Sequence, residues 1–208
     1  MSYELMYSPG AASLAPHILL RELGVAFALS LIDTRAGAHK TPAYLKLNPN
    51  GRVPTLIADG RPVFESAAIC LLLCERHPGL APAPGSPARP GFLQWMVFLT
   101  NTLQEAFMAY FHADYYAATA AAQAEVKARA EATVGTLFGR LEQALAAGGP
   151  WLCGDGFSAA DIYLFMLTRW GRNLAAPPAK TLPLIGRHYA AVGARPATRE
   201  AFAAEGLA

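Results

Sequence analysis

The sequence predicts an α/β domain followed by an all-α helical domain. Residues 1–78 alternate short strand-like and helix-like patterns, whereas residues 92–208 are almost wholly helix-like. Between them, residues 79–91 contain four prolines and three glycines. Such a stretch can continue neither pattern, so it predicts a linker between two packed domains.

Composition narrows the class of protein. The chain has 208 residues and is 53% hydrophobic, which suffices for one substantial core or two small ones. Its net charge is +2 without a dense basic stripe, which argues against a nucleic-acid partner. No apolar run approaches the ~20 residues of a membrane span, and no signal peptide precedes the first strand, so we expect a cytoplasmic protein without a membrane partner. Three cysteines suit buried reduced thiols rather than disulfides or a metal site.

The first domain opens with a strand, a turn and a helix start. Residues 3–7 are strand-like, Pro9-Gly10 punctuates them, and Ser13 is expected to cap a helix over residues 13–23. Unpaired backbone N–H groups at a helix start favour an anion, so a thiolate brought to Ser13 would find a hydroxyl donor and a favourable dipole. Taken alone, an ordinary capped helix is the plainer interpretation of the segment.

The remaining elements of this domain follow in order. We expect a strand over residues 26–32, a short helix over 41–47 with Pro42 at its first position, two strands over 55–58 and 62–64 around Asp59-Gly60, and a helix over 67–76 opened by Glu65-Ser66. The order βαβαββα is that of the thioredoxin-like layout, a mixed four-stranded sheet covered by helices.

The second domain is predicted to be a helical bundle. Long helical patterns cover residues 92–116 and 118–147, and shorter ones cover residues 182–192 and 198–204. Ser158 with Asp161 three residues later is a capping-box variant before the apolar run 162–167, so we assign both residues to folding rather than to catalysis.

Five landmarks occur in a fixed order along the chain: Tyr7-Ser-Pro-Gly-Ala-Ala-Ser-Leu-Ala-Pro-His-Ile18, Asn48-Pro-Asn-Gly-Arg-Val-Pro54, Glu65-Ser66, Trp151-Leu-Cys-Gly154 with Phe157-Ser-Ala-Ala-Asp161, and Arg195-Pro196 with Ala204-Glu-Gly206. With them the chain resembles the cytosolic glutathione transferase family over essentially its whole length, and it is most similar to the bacterial beta class. The resemblance implies an enzyme that conjugates the thiolate of glutathione to small hydrophobic electrophiles, as a homodimer and without a metal.

The resemblance also implies which residues bind glutathione. Val53 before a cis-Pro54 would pair its main chain with the cysteinyl part. Ser66 would hold the γ-glutamyl carboxylate and Glu65 the ammonium. Candidates for the glycyl carboxylate are Lys40, His39 and Arg52. A proline that simply starts a strand and an ordinary acidic helix start are the plainer alternatives.

Two positions depart from the family pattern. Ala12 stands where the beta class has a cysteine, which argues against thiol-disulfide exchange. Ser13 therefore becomes the candidate for stabilising the thiolate, with Tyr7 as the second candidate, although core packing is the plainer role for Tyr7. Gln104 stands where the family has a histidine, so it can contact the glutathione thiol or the electrophile but cannot act as an acid or base. A place on a solvated helix face is its plainer role.

The electrophile is expected in an apolar pocket between the domains. Its candidate lining residues are Ala11, Phe107, Tyr110, Phe111 and Trp170. Core packing is the plainer role for most of the aromatic side chains. Two other functions stay open from sequence: a non-catalytic or regulatory glutathione-binding protein of the same fold, and a glutathione-dependent isomerase, lyase or peroxidase.

Overall fold

The computed structural model describes residues 1–207, which form two compact units. The first unit is Met1–Ala81 together with the segment from Gly193 onward, and the second is Pro82–Val192. The last helix therefore belongs to the first unit, whereas the sequence pattern placed it with the helical domain. Its contacts are the reason, because it packs on the first helix of the chain.

The sheet of the first unit has the predicted thioredoxin-like topology. Its strands are β1 (Tyr3–Tyr7), β2 (Ala28–Leu31), β3 (Thr55–Ala58) and β4 (Arg61–Phe64), in the spatial order β2-β1-β3-β4. β1 pairs with β2 in parallel, and β3 pairs with β1 and β4 antiparallel. Asp59 and Gly60 both have positive φ angles, 50° and 79°, which is the two-residue hairpin turn that an Asp-Gly pair favours.

Helices cover both units within residues 1–207. In chain order they are α1 (Leu14–Glu22), α2 (Pro42–Leu45), α3 (Ser66–Arg76), α4 (Arg89–Phe98), α5 (Glu105–Phe111), α6 (Ala120–Gly148), α7 (Ala159–Trp170), α8 (Pro178–Thr181), α9 (Pro183–Gly193) and α10 (Pro196–Glu205). α4 begins inside the predicted linker, because Pro90 fits the first turn of a helix, where no N–H is needed.

The predicted cap of α1 is wrong in its details. Ser13 occupies the position before α1, but its backbone is already helical and its side chain makes no capping bond. Its hydroxyl instead donates to the Ser8 carbonyl at 3.1 Å and accepts from the Ser8 N–H at 3.3 Å. The third residue of the helix is Pro16, which has no N–H for a cap to bind.

A buried carboxylate joins α10 to α1. Glu205 accepts hydrogen bonds from the Gly10 N–H at 2.8 Å and from Nδ1 of His17 at 2.7 Å. Nε2 of the same ring accepts from Arg21 at 3.0 Å, which assigns the ring hydrogen to Nδ1. Both the Glu205 and His17 side chains are fully buried. The end of α10 therefore holds the start of α1 and the turn before it.

The helical unit is built around α7. Residues Ala159 to Arg169 of this helix are all buried. The predicted capping box is present, because the Asp161 carboxylate accepts from both the N–H and the hydroxyl of Ser158, each at 2.9 Å. The predicted long helix over residues 92–116 is divided, because a π-helical stretch at Leu99–Gln104 separates α4 from α5. Within residues 1–207, no helix is both long and apolar enough to cross a membrane.

We expect Glu205→Ala to lower the free energy of unfolding by about 3–5 kcal/mol, because it leaves a buried histidine and a buried N–H without their acceptor. Urea unfolding of the full chain measures this loss. The matched control is Glu200→Ala on the same helix, whose carboxylate meets Arg21 at the surface and should contribute about 0–1 kcal/mol. Equal losses for the two variants would contradict the role assigned to Glu205.

Candidate functional site

The loop of residues 48–54 is held in place from within the first unit. The Tyr44 hydroxyl donates to the Arg52 carbonyl at 2.7 Å, and the side-chain amide of Asn48 donates to the same oxygen, also at 2.7 Å. Burial raises the pKa of Tyr44, so its hydroxyl stays protonated and able to donate. Two donors on one carbonyl fix the backbone immediately before Val53 and Pro54.

Lys40 lies against this loop at Gly51. Gly51 has a φ of 56°, and a Cβ added there would meet Nζ of Lys40 at 2.9 Å and the His39 carbonyl at 3.0 Å. Nδ1 of His39 is buried without a hydrogen-bond partner in the described chain, and burial, followed by the charge of Lys40, lowers the pKa of the ring. Lys40 and Arg52 are both exposed, so a ligand can reach one cation beside the loop and one within it.

The junction between β4 and α3 lies next to the same loop. The Val53–Pro54 peptide bond is cis, as the resemblance implies. Glu65 adopts a positive φ of 71°, unusual for a residue with a side chain, and its carboxylate accepts a bond of 3.4 Å from the Asn50 amide. Ser66 follows as the buried first residue of α3. The structure thus brings the two predicted halves of a peptide-binding surface together.

The residues of the turn before α1 differ in how deeply they are buried. Ala11 and Ala12 are half-buried, whereas Ser13 is fully buried with its hydroxyl bonded to Ser8. Tyr7 is half-buried, and its ring lies 6.2 Å from that of His17 on the side of the sheet that α1 covers. Ser13 is therefore positioned to shape the turn, and Ala12 is the more accessible of the pair.

The candidate residues in the helical unit are of two kinds. Phe107 is fully buried and contacts Phe111 and Trp170, with ring centroids 5.8 and 5.9 Å away. It supports these rings from within the core and is not itself an open wall, whereas Phe111 is 48% exposed. Tyr110 is half-buried and lies 4.8 Å from the ammonium of Lys127. The Gln104 amide oxygen accepts from the buried Tyr163 hydroxyl at 2.5 Å, which orients its NH₂ group away from that bond.

Cys70 and Cys153 do not offer an activated thiolate. Burial raises the pKa of Cys70 well above its ordinary value, and burial also raises that of Cys153. Nor does any group of three or more metal-ligating side chains occur among residues 1–207.

Family models match both units of the chain. Residues 11–76 match the N-terminal domain of glutathione S-transferase, and residues 98–196 match its C-terminal domain. The chain belongs to the glutathione S-transferase family. This membership makes it a glutathione transferase, and it agrees with the sheet topology and helical unit described above.

Individual relatives support the same assignment. A glutathione S-transferase of Escherichia coli O157:H7, GstA, is 34% identical over 98% of this chain and 99% of its own. A sphingomonad glutathione S-transferase crystallised with glutathione is 37% identical, with a TM-score of 0.85 over 99% of this chain and all of its own. A bacterial beta-class enzyme of Sphingomonas chungbukensis is 33% identical, with a TM-score of 0.86 and the same coverage.

Sequence reasoning missed the residues that hold the site in shape. Tyr44 and Asn48 support the loop, Asn50 connects it to Glu65, and Tyr163 orients Gln104. The Asn48-Pro-Asn-Gly51 stretch did carry a signal, since asparagine side chains bond to the backbone two residues on, and Asn48 accepts from the Asn50 N–H at 3.1 Å. Tyr163 had no such signal, because its partner is 59 positions away.

The close approach at Gly51 predicts a specific sensitivity. Gly51→Ala should cost about 1–3 kcal/mol more than Gly60→Ala, because only the former forces a side chain against neighbouring atoms. Both glycines have positive φ, and a Cβ at Gly60 meets nothing within 4 Å, so backbone strain cancels in the comparison. Urea unfolding of the two variants measures the difference. Similar losses would mean that the loop yields to the added methyl group.

Proposed function

We propose that this transferase binds glutathione on its first unit and conjugates the glutathione thiolate to small hydrophobic electrophiles. The observation that carries the proposal is the meeting of loop 48–54 with the Glu65–Ser66 junction, joined by Asn50. Membership of the family supports the ligand, and the sphingomonad relative was crystallised with glutathione. The enzyme would thus hold an extended tripeptide at the end of the β3–β4 pair, where Thr55 lies opposite Phe64.

Each charged group of glutathione would have a partner of complementary charge or hydrogen-bonding character on this surface. Lys40 and Arg52, both exposed beside the loop, would meet the glycyl carboxylate. The Ser66 hydroxyl and the first N–H groups of the eleven-residue helix α3 would hold the γ-glutamyl carboxylate, and Glu65 would hold the ammonium. Between these ends, the main chain of Val53 would pair with the cysteinyl residue in the manner of an added strand.

The thiolate is proposed to lie at the start of α1, beside Ala12. A cysteine thiol titrates near 8.5, so half-ionisation at pH 7 requires a fall of about 1.5 units, worth roughly 2 kcal/mol. The backbone N–H groups and the dipole at a helix start can stabilise an anion by a free energy of that order. The Ser13 hydroxyl is already hydrogen-bonded to Ser8, so we assign Ser13 the role of positioning the turn. Tyr7, whose ring lies beside that of His17, is assigned a smaller contribution to stabilising the thiolate than the backbone N–H groups.

The electrophile is proposed to meet aromatic side chains of the helical unit. Tyr110, Phe111 and Trp170 supply partly exposed rings, and Phe107 supports them from within the core. Gln104, held by Tyr163, would offer its NH₂ group to an acceptor such as a nitro group or carbonyl. These groups favour flat apolar substrates with a polar substituent. The thiolate would attack their electrophilic carbon and displace the leaving group.

We further propose a homodimer in the cytoplasm. Leu93 and Val97 are 40% and 59% exposed and lie one turn apart on α4. These two side chains give a second copy of the chain an apolar surface to cover, and the dimer itself is proposed from the family resemblance. Light scattering of the purified enzyme measures its mass, and a mass of one chain would refute the dimer.

Glu65→Gln should raise the Kd for glutathione about tenfold or more, because a charge-assisted hydrogen bond to the ammonium becomes a neutral one. Calorimetric titration with glutathione measures the change. The matched control is Glu75→Gln, which removes the same charge from an exposed position near the other end of α3 and should leave the Kd unchanged. Equal effects would mean that Glu65 acts only through overall charge.

Replacing the pair Ala12-Ser13 separates two kinds of chemistry. Ala12→Cys should form a mixed disulfide with oxidised glutathione, detected by mass spectrometry, because it places a thiol at the start of α1. Ser13→Ala should retain glutathione binding and slow the conjugation of chlorodinitrobenzene several-fold through loosening of the turn. Complete loss of thiolate absorbance in Ser13→Ala would instead make its hydroxyl a direct ligand of the sulfur. Glutathione binding without conjugation in the parent enzyme would favour a non-catalytic binding protein.

A further inference from the structure

The turn before α1 contains a hydroxyl that is not among the predicted site residues. Ser8 follows β1 directly and opens a turn through Pro9-Gly10, closed by a hydrogen bond of 3.1 Å from the Ala11 N–H to the Ser8 carbonyl. A proline followed by a glycine with positive φ, here 68°, is typical of a type II turn. The first and fourth Cα atoms of such a turn lie within about 7 Å, so Ser8 is close to the proposed thiolate position beside Ala12.

Ser13 has no hydroxyl hydrogen left for a ligand. Its hydroxyl donates to the Ser8 carbonyl, and the same oxygen accepts from the Ser8 N–H. The backbone N–H groups of Ala12 and Ser13, by contrast, have no acceptor within residues 1–207. The turn therefore offers a ligand two backbone donors, while the buried Ser13 side chain holds the turn closed.

The Ser8 hydroxyl does have a hydrogen to offer. Its oxygen lies 3.1 Å from Oγ1 of Thr34, and either hydroxyl can be the donor. Two hydroxyls carry two hydrogens and this bond uses one, so one hydrogen remains free within the described part of the chain. A thiolate at the turn would select the arrangement in which Thr34 donates to Ser8 and Ser8 donates to the sulfur, because a hydrogen bond to a charged acceptor is the stronger one.

Both hydroxyls lie at the edge of the sheet where α1 begins. β1 and β2 are parallel, so the segments that follow them emerge at the same edge, Ser8 directly after β1 and Thr34 shortly after β2. In open α/β sheets, ligands bind beyond the carboxyl ends of the parallel strands. Both residues are half-buried, so a ligand atom can reach them while water competes less than at an open surface.

We propose that Ser8 is a catalytic residue whose hydroxyl donates to the thiolate of bound glutathione, with Thr34 as the positioning residue that donates to Ser8. The inference rests on the proposed function, since it assigns a donor to the same sulfur. The sulfur would receive this hydroxyl beside the N–H groups of Ala12 and Ser13. No covalent bond changes at Ser8, because its hydrogen stays on its own oxygen and the thiol proton leaves to water. A hydrogen bond to the charged form favours that form, so the thiol ionises at a lower pH.

The pH dependence of conjugation tests the role of Ser8. At saturating glutathione, Ser8→Ala should move the pH profile of kcat/KM for chlorodinitrobenzene upward by about one unit, because one charge-assisted hydrogen bond is lost. The absorbance of the bound thiolate should shift with it. The Kd for S-methylglutathione, which has no ionisable thiol, should stay that of the parent. Thr34→Val should cause a smaller shift in the same direction, and Ser8→Thr, which keeps a hydroxyl, should behave like the parent.

The matched control is Ser30→Ala. This variant removes a half-buried hydroxyl of β2 that donates to Glu4, and it should leave the pH profile unchanged. The titratable groups around the turn are the same in every variant, so a shift reports on the hydroxyl alone. They lie on α10, α1, β1 and the segment after β2: Glu205, His17, Tyr7 and Asp33.

Three results have distinct meanings. An unchanged pH profile in Ser8→Ala would overturn the proposal. Equal weakening of glutathione and S-methylglutathione by Ser8→Ala, without a shift of the profile, would also overturn it, since Ser8 would then only hold the turn in shape. A parent enzyme that does not bind glutathione would refute the proposed function itself.

Discussion

The Glu205 carboxylate holds together three parts of the first unit. One oxygen receives the Gly10 N–H and the other receives His17, whose far nitrogen receives Arg21. Each buried polar group in this hydrogen-bond network pairs with the next, so removal of one leaves the others unpaired in an apolar setting. This hydrogen-bond network fixes the position of α1 and the shape of the turn over residues 8–13. The proposed thiolate site is therefore fixed by a residue on the last helix.

A buried carboxylate also organises the helical unit, and there it belongs to Asp161. Asp161 receives hydrogen bonds from Ser158, Leu152 and His188, and so fixes the start of α7, the preceding loop and α9. Glutamate and aspartate differ only in reach, and each is placed where backbone N–H groups would otherwise be buried without an acceptor. In both units the buried carboxylate orders the backbone around it.

The sequence predicted what depends on neighbours in the chain. The Asp59-Gly60 turn and the Ser158–Asp161 box were correct because their partners lie within a few residues. The capping of α1 failed for an equally local reason, the missing N–H of Pro16. The Glu205–His17 hydrogen bond joins residues 188 positions apart, and no local sequence pattern predicts it. Val53-Pro54 and Glu65-Ser66 could be named from motifs, but only the folded chain shows that Asn50 connects the two segments.

The order of synthesis gives the position of Glu205 a further consequence. His17 and Gly10 leave the ribosome long before the helix that satisfies them, because all 111 residues of the second unit, 82–192, are made in between. At about 5–20 residues per second, that interval is roughly 5 to 20 s. During it the nascent first unit has its strands but not its buried acceptor, so the helical unit can mature first. The first unit therefore cannot complete its buried hydrogen bonds until α10 has been made.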